Sequence, residues 1–456
     1  MDQRSHQEHL PNLADSIYSP SMDSPQGMQK RLPTALSLIS RNRVQFLFLS
    51  LVIVIGAGFF AINNRPTTIR MAVLGRLGAQ PLMTRYADFR FLLAGIETSR
   101  TEVDIWTTCK PCGTAVGIPP NDRPFNYPAA VIGLGRIFPA TTTPDDANWM
   151  GPLIDSAFLL CAALLLLSPH RLQTFFSLAL LVSPPVLLGL ERANYDLLIF
   201  CLVFINLSLI DRWSNSWAYA TAFGLGLLKI YPVVTILGLL RKTKESLRWF
   251  VAVIAAELVF IAFSLKNIHA LARNSARGWN SQYGYPVEFL AVGAAGARFR
   301  RFPAHIASDL ALPFLFVFCV VTVLIAWRNR EFLLSFLFKS GHKERAAFLA
   351  GATIFSVSFA LGTNYNYRLI FLMFTVPHLF AALWNSKDQT QRVSRYLLGV
   401  VLAVFWLTWF GSNPITVTLE SGLTWLLFGF LSATSMVALY SALSSPRDNP
   451  SIVAQA

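Results

Sequence analysis

The apolar run VQFLFLSLVIVIGAGFFAI occupies residues 44–62 and contains no charged side chain. About 20 apolar residues in an α-helix cross a hydrocarbon core of about 30 Å, so this run predicts one membrane span. Similar runs recur at about 152–168, 172–190, 195–210, 249–265, 309–327, 346–361, 369–384, 395–411 and 422–443. The sequence therefore predicts a polytopic membrane protein with about ten to twelve transmembrane helices.

The composition of the 456-residue chain agrees with this prediction, because 54% of the residues are hydrophobic and only 14% are charged. Soluble domains carry about 25% charged residues. Membrane-spanning segments must satisfy their backbone hydrogen bonds internally, and these runs lack the alternation typical of barrel strands. The expected fold class is all-α, a helical transmembrane bundle.

The net charge of +14 comes from short basic clusters that lie between the apolar runs. This distribution is the positive-inside bias of membrane proteins, and it argues against nucleic acid as a partner. Membrane lipids are the expected surroundings, in the cell membrane.

The basic clusters also predict the topology, with both termini cytoplasmic. Residues 1–43 read as a disordered cytoplasmic tail because large apolar side chains are few there. The transmembrane domain covers 44–445 and the second tail covers 446–456. Two long loops, 63–150 and 266–308, are expected on the extracytoplasmic side, and the first contains amphipathic stretches.

The stretch 216–240 is long enough for one span, yet basic residues flank both of its ends. Arg212 precedes it, and Arg241 and Lys242 follow it. Lys229 lies in its middle, shortly before Pro232, which lacks the N–H that a continuous helix needs. We favour a broken hairpin, whose two basic ends stay on the cytoplasmic side, and a kinked single span is the alternative.

Cys109 and Cys112 form a lone C-x-x-C in the first long loop. Metal sites of this type need a second pair of ligands, so no metal is predicted. A short disulfide and two free thiols both stay open.

Four polar groups are unusual, and the predicted topology places all of them at the extracytoplasmic face. They lie at 86–89 together with 125–128, at 191–196, at 229–232 and at 364–368. Ionisable side chains at membrane depth are costly and suggest function by default. Lys229 is the strongest case, since it lies deep in an apolar run.

Three of these residues also have a purely structural interpretation. Asp196 could cap its helix or pair with Arg192, and Arg368 could extend to the membrane interface. Asp88 could form a surface ion pair with Arg85 or with Arg90.

Taken together, the four groups indicate chemistry on a lipid-linked substrate. A carboxylate at the membrane surface can accept a proton from a hydroxyl group. Cations such as Lys229 and Arg368 can hold a phosphate leaving group, and an apolar helical body can hold a lipid tail.

The order of the motifs resembles a known family over residues 44–390. Asp88-Phe89 precedes F-x-Y-P at 125–128, Ser-Pro-Pro at 183–185, Asn-x-Asp at 194–196 and Leu-Lys-Ile-Tyr-Pro at 228–232. This pattern looks like glycosyltransferase family 87, the polyprenol-phosphate-mannose-dependent mannosyltransferases of the GT-C superfamily.

The resemblance implies an inverting transfer that uses neither a metal nor a cofactor. A hexose such as mannose would move from a polyprenyl-phosphate donor to a lipid or glycan acceptor at the outer face of the membrane. Asp88 would be the general base. The donor phosphate and sugar would be bound by Tyr127, Arg192, Asn194, Asp196, Lys229, Tyr231 and Arg368.

Three positions depart from the family pattern and leave the sugar and the acceptor open. Ala129 stands where a second proline is usual, and Ile230 stands where Lys-Pro-Tyr-Pro is usual. Asn194-Tyr195-Asp196 replaces the common forms with Gly before Gln or Asn.

Two other functions remain as alternatives. A secondary transporter would also use a broken helix and midplane charges, but the sequence shows no repeat and has a large outer loop. A lipid-linked glycan polymerase or ligase would use an arginine-rich outer loop, and Arg298, Arg300 and Arg301 fit that description.

Overall fold

The computed structural model describes most of the chain between residue 35 and residue 444. The described ranges are 35–101, 105–106, 109–115, 125–135, 137–212, 214–241, 243–274, 282–284, 304–362, 364–410 and 414–444. Residues 44–456 form one compact unit, and 1–43 form a separate one. Most of the predicted first tail, the tail at 446–456 and the three arginines at 298–301 lie outside the described residues.

The described residues are predominantly helical, which confirms the predicted all-α class. The α-helices are α1 (Ala35–Asn63), α2 (Thr67–Arg76), α3 (Ala87–Thr98), α4 (Lys110–Ala115), α5 (Ala129–Gly135), α6 (Ala147–Leu166), α7 (Arg171–Leu181), α8 (Pro184–Arg192), α9 (Tyr195–Ser208), α10 (Asn215–Leu228), α11 (Ile236–Leu239), α12 (Lys244–Asn274), α13 (Ala304–Arg328), α14 (Arg330–Leu337), α15 (His342–Leu361), α16 (Val376–Asn385), α17 (Gln389–Leu407) and α18 (Pro414–Leu443). Four 3₁₀ segments connect them, at Pro144–Asp146, Tyr231–Thr235, Asn366–Thr375 and Thr408–Phe410.

Eight helices among the described residues are long and apolar enough to cross a bilayer. The pair α7 and α8 adds a ninth if it counts as one span, with a bend of 49° at the break. This number is below the predicted ten to twelve, because the apolar run 195–210 forms only the short helix α9 and the run 216–240 is broken. The chain is a multi-pass membrane protein.

The stretch 216–240 folds as a broken hairpin, as predicted. Helix α10 ends at Leu228, and a 3₁₀ segment and the four-residue helix α11 follow. Its two ends lie together, since the Arg241 side chain donates to the carbonyl of Ile210 at 3.2 Å and lies 3.9 Å from the Asp211 carboxylate. A single crossing would separate these residues by the thickness of the bilayer. Lys242 lies outside the described residues.

The loops predicted to be cytoplasmic gather at one place. Asp211 lies 3.6 Å from His342 and 3.3 Å from Lys343, so the loop after α9 meets the start of α15. This grouping agrees with the predicted sidedness of the loops, and which compartment they face stays a prediction.

The segment that connects α15 to α16 lies deep in the bundle. The candidate span Asn366–Asn385 is 78% buried and the span of α15 is 72% buried, whereas that of α12 is only 11% buried. Just before the buried segment, the strand Asn364–Tyr365 (β2) pairs antiparallel with Gln282–Tyr283 (β1). Residues of the predicted second outer loop therefore pair with the segment that directly precedes the buried span Asn366–Asn385.

Candidate functional site

Asp196 is the centre of a buried ionic cluster near the start of α9. Its side chain is fully buried, and Lys229 and Tyr231 both donate hydrogen bonds to its Oδ1 atom. The Nε of Arg368 donates to Oδ2 at 3.1 Å. Two segments that are distant in sequence, 229–231 and the one with Arg368, thus converge on the carboxylate of Asp196.

Asp88 is the centre of a second cluster, in the first turn of α3. The side-chain amide of Asn194 donates to its Oδ2 atom at 2.6 Å, and Arg192 lies 3.9 Å from Oδ1. Asp88 is 7% exposed. This carboxylate therefore keeps limited contact with solvent while its charge has a cationic neighbour.

Asn194 joins the two clusters because each end of its amide serves one of them. Its nitrogen donates to Asp88, and its oxygen accepts the backbone N–H of Asp196 at 2.8 Å, which caps α9. The two carboxylates are thus held at a defined separation by one side chain.

The local sequence explains the turn between α8 and α9. Pro184 and Pro185 open α8, because proline is well tolerated in the first turn of a helix. Helix α8 ends at Arg192, and the residue that follows it, Ala193, has a φ of 43° in the left-handed region. The chain therefore turns sharply before Asn194 and presents Arg192 and Asp196 to different clusters.

Aromatic rings surround the cations. The Lys229 ammonium lies 5.9 Å from the ring centres of Tyr127 and Tyr195 and 5.8 Å from that of Tyr231. The guanidinium of Arg192 lies 4.8 Å from the ring of Tyr365. Such rings stabilise a cation while leaving its N–H donors available to an anion.

All eight residues predicted as site residues therefore lie in one place. Asp88, Arg192 and Asn194 form one part, and Asp196, Lys229, Tyr231, Arg368 and Tyr127 form the other. The predicted topology placed these residues at a common membrane face, and in the structure they lie in contact with one another.

The predicted alternatives for Asp88 and Asp196 are wrong. The side chain of Asn194, and not that of Asp196, caps α9, and the ion pairs of Asp196 are with Lys229 and Arg368 and not with Arg192. Among the described residues, the neighbours of Asp88 donate elsewhere: Arg85 donates to Asn64 and Arg90 donates to Asp145, both at 2.7 Å.

The buried pair Arg70–Glu191 was not predicted. Arg70 is fully buried, donates to Glu191, and also donates to the carbonyls of Leu82 and Met83 at 2.6 Å. The carbonyl of Glu191 in turn accepts the N–H of Tyr86 at 3.0 Å. No motif spacing connects Arg70 with a residue 121 positions away.

Cys109 and Cys112 are joined by a disulfide, which settles the alternative left open by the sequence. Among the described residues no group of three or more His, Cys, Asp or Glu side chains is placed to hold a metal ion.

No known protein family, no curated protein and no solved structure matches this chain. Its resemblance to glycosyltransferase family 87 therefore stays a prediction from the motifs.

Proposed function

We propose that the chain is a glycosyltransferase that moves a sugar from a polyprenyl-phosphate carrier to a hydroxyl group of a lipid or glycan acceptor at the extracytoplasmic face of the cell membrane. The observation that carries the proposal is the junction at Asn194, where a carboxylate suited to a base adjoins a cluster of cations suited to a phosphate. The donor sugar is a hexose such as mannose.

The cations are arranged to receive an anion. Asp196 is fully buried beneath them, whereas the side chain of Lys229 is 12% exposed and that of Arg368 is 21% exposed. The Asp196 carboxylate therefore holds Lys229 and Arg368 from the buried side of the site. With Arg192, the site holds three cations against the two carboxylates Asp88 and Asp196, so an incoming phosphate finds a favourable charge.

Asp88 acts as the general base in this proposal. The acceptor oxygen attacks the anomeric carbon, its proton passes to the Asp88 carboxylate, and the bond between the anomeric carbon and the phosphate oxygen breaks. The polyprenyl phosphate leaves with the bonding electron pair, and the anomeric configuration inverts. Lys229 and Arg368 stabilise the charge that develops on the leaving phosphate.

The decisive experiment is Asp88→Asn in the purified full chain, reconstituted in lipid. Polyprenyl-phosphate mannose is the donor, and a mixture of membrane lipids and glycans supplies the acceptors. The substitution keeps the size of the side chain but removes its basicity. Turnover is expected to fall about 10²–10⁴-fold while donor binding stays near the wild-type value.

The matched control is Asp145→Asn, which removes an exposed carboxylate that pairs with Arg90 in the same outer loop. This variant is expected to turn over at the wild-type rate. Wild-type turnover by a well-folded Asp88→Asn protein would exclude Asp88 as the base. Accumulation of intact donor inside sealed vesicles, without any transfer, would favour a transporter instead.

A further inference from the structure

A group of buried oxygen atoms lies beside the proposed active site and outside the proposed reaction. It consists of the side chains of Asn63, Tyr86, Asp155 and Glu191, called here the oxygen cluster. Each of these residues is at most 1% exposed. Both oxygens of Asp155, Oε2 of Glu191, Oη of Tyr86 and both polar atoms of Asn63 have no hydrogen-bond partner among the residues that the structure describes.

Packing between three segments brings these residues together. The ring of Tyr86 covers Gly151 so closely that a Cβ there would lie 2.7 Å from it. Asp155 follows Gly151 by one helical turn and so lies on the same face of α6. Gly56 of α1 faces Leu159 of α6, at 3.1 Å from a built Cβ, which brings the end of α1 at Asn63 towards Tyr86.

The electrostatics of Tyr86 are consistent with this packing. Burial and the negative charge of Asp155 together raise the pKa of Tyr86 to about 12, and a contact with the side chain of Asn63 acts in the opposite direction. Both Asp155 and Asn63 are therefore within interaction range of the Tyr86 hydroxyl. Asp155 is also within electrostatic range of Glu191.

The charges in the oxygen cluster do not balance. Arg70 binds Oε1 of Glu191 and thereby neutralises that carboxylate. Among the described residues no cation forms a salt bridge with Asp155. An uncompensated carboxylate in a membrane interior costs several kcal/mol, so Asp155 needs one positive charge, which either a proton or a metal cation can supply.

We infer that the oxygen cluster binds one small monovalent cation of the sodium type. All of its unpartnered acceptors are oxygen atoms, which hard cations prefer. The described residues offer no third carboxylate, imidazole or thiolate, so a divalent ion lacks the ligand charge that it needs. One carboxylate with neutral oxygens matches a single positive charge.

The site has a direct connection to Asp88. Tyr86 stands two residues before Asp88, and its N–H is fixed on the carbonyl of Glu191. A cation bound between Asp155 and Tyr86 thus anchors the start of α3. The inference concerns binding only, and it holds whether or not the chain transfers a sugar.

The experiment measures the thermal unfolding midpoint of the purified full chain at pH 8, with sodium chloride replacing choline chloride at constant ionic strength. The wild-type midpoint is expected to rise in a saturable manner, by about 4–6 °C at high sodium. Asp155→Asn keeps the shape of the side chain without its charge, and its midpoint is expected to be independent of sodium.

The matched control is Glu257→Gln. Glu257 is also buried, and within the described part of the chain both of its carboxylate oxygens lack a hydrogen-bond partner, but it faces Gly226 on another helix pair. The Glu257→Gln variant is expected to keep the full sodium response. If Asp155→Asn does not fold, Asn63→Ala serves in its place and is expected to weaken sodium binding about tenfold or more.

Three results would overturn the inference. One is a wild-type midpoint that is insensitive to sodium, lithium and potassium. Another is an unchanged sodium response in a folded Asp155→Asn protein. The third is a response to pH alone, which would mean that Asp155 holds a proton instead of a metal cation.

Discussion

Replacing Asp196 with asparagine removes the charge on which the largest ionic cluster of the site depends. Lys229, Tyr231 and Arg368 all donate to this fully buried carboxylate. The variant amide has a single acceptor oxygen, and its NH₂ group faces one of these donors. Two mostly buried cations, Lys229 and Arg368, therefore lose their counter-charge in one step.

The expected loss of stability follows from that geometry. Removing one partner of a buried ion pair costs about 3–5 kcal/mol, because the other charge stays buried without compensation. Two cations are affected here, so we expect the upper part of this range. At about 2 °C per kcal/mol, the apparent unfolding midpoint falls by about 8–10 °C.

The assay is thermal unfolding of the reconstituted full chain, followed by the fluorescence of its 11 tryptophans. Asp211→Asn is the matched control, because Asp211 also has three basic neighbours but its side chain is 49% exposed. Solvent screens such pairs, and the expected cost is about 0–1 kcal/mol.

A double variant tests the coupling directly. Asp196→Asn combined with Lys229→Gln removes both charges of one pair, so its cost is expected to be smaller than the sum of the single variants by about 1–3 kcal/mol. Strict additivity, or a midpoint for Asp196→Asn no lower than that of Asp211→Asn, would refute the view that Asp196 organises the cluster.

Two further predictions concern donor binding and topology. Lys229→Ala is expected to weaken binding of the polyprenyl-phosphate donor about tenfold or more, because a charge-assisted contact of about 1.5–3 kcal/mol is lost. The control is Lys339→Ala, which removes a lysine paired with Asp388 and is expected to leave donor binding unchanged. Equal donor affinity in both variants would contradict the phosphate role of Lys229. A cysteine introduced at Arg85 is expected to react with an impermeant reagent in intact cells, and one at Lys343 is expected to react only after permeabilisation; the reverse pattern would invert the predicted orientation.

The helices were predictable because crossing a bilayer requires a minimum apolar length, and that length is visible in the sequence. The run 44–62 agrees closely with the candidate span Arg43–Asn63, but α1 itself begins at Ala35, inside the predicted disordered tail. The run 195–210 was predicted as a membrane span from its apolar length, but its helix ends after 14 residues at Ser208. Composition defines apolarity, whereas tertiary packing decides where a helix stops.

The members of the site were predictable, but their pairing was not. Charged residues at membrane depth are rare enough to be noticed one by one. Asp196 lies near Arg192 in sequence, yet its partners are 33 and 172 residues away. Arg70 was missed for a related reason, since it lies in a loop where a basic residue is ordinary, and only burial distinguishes it.

The separation between Asp196 and its partners has a consequence for biosynthesis. Lys229 is made 33 residues after Asp196, and Arg368 is made 172 residues after it. At about 5–20 residues per second, these intervals are about 2–7 s and about 9–34 s. During the first interval α9 carries an unpaired acid, whose transfer into the membrane interior costs about 2.5–3.5 kcal/mol. In nascent chains that are stopped before Lys229, α9 is therefore expected to be inserted in the membrane in a smaller fraction of molecules than in chains stopped after it. The full site forms only when Arg368 has been translated.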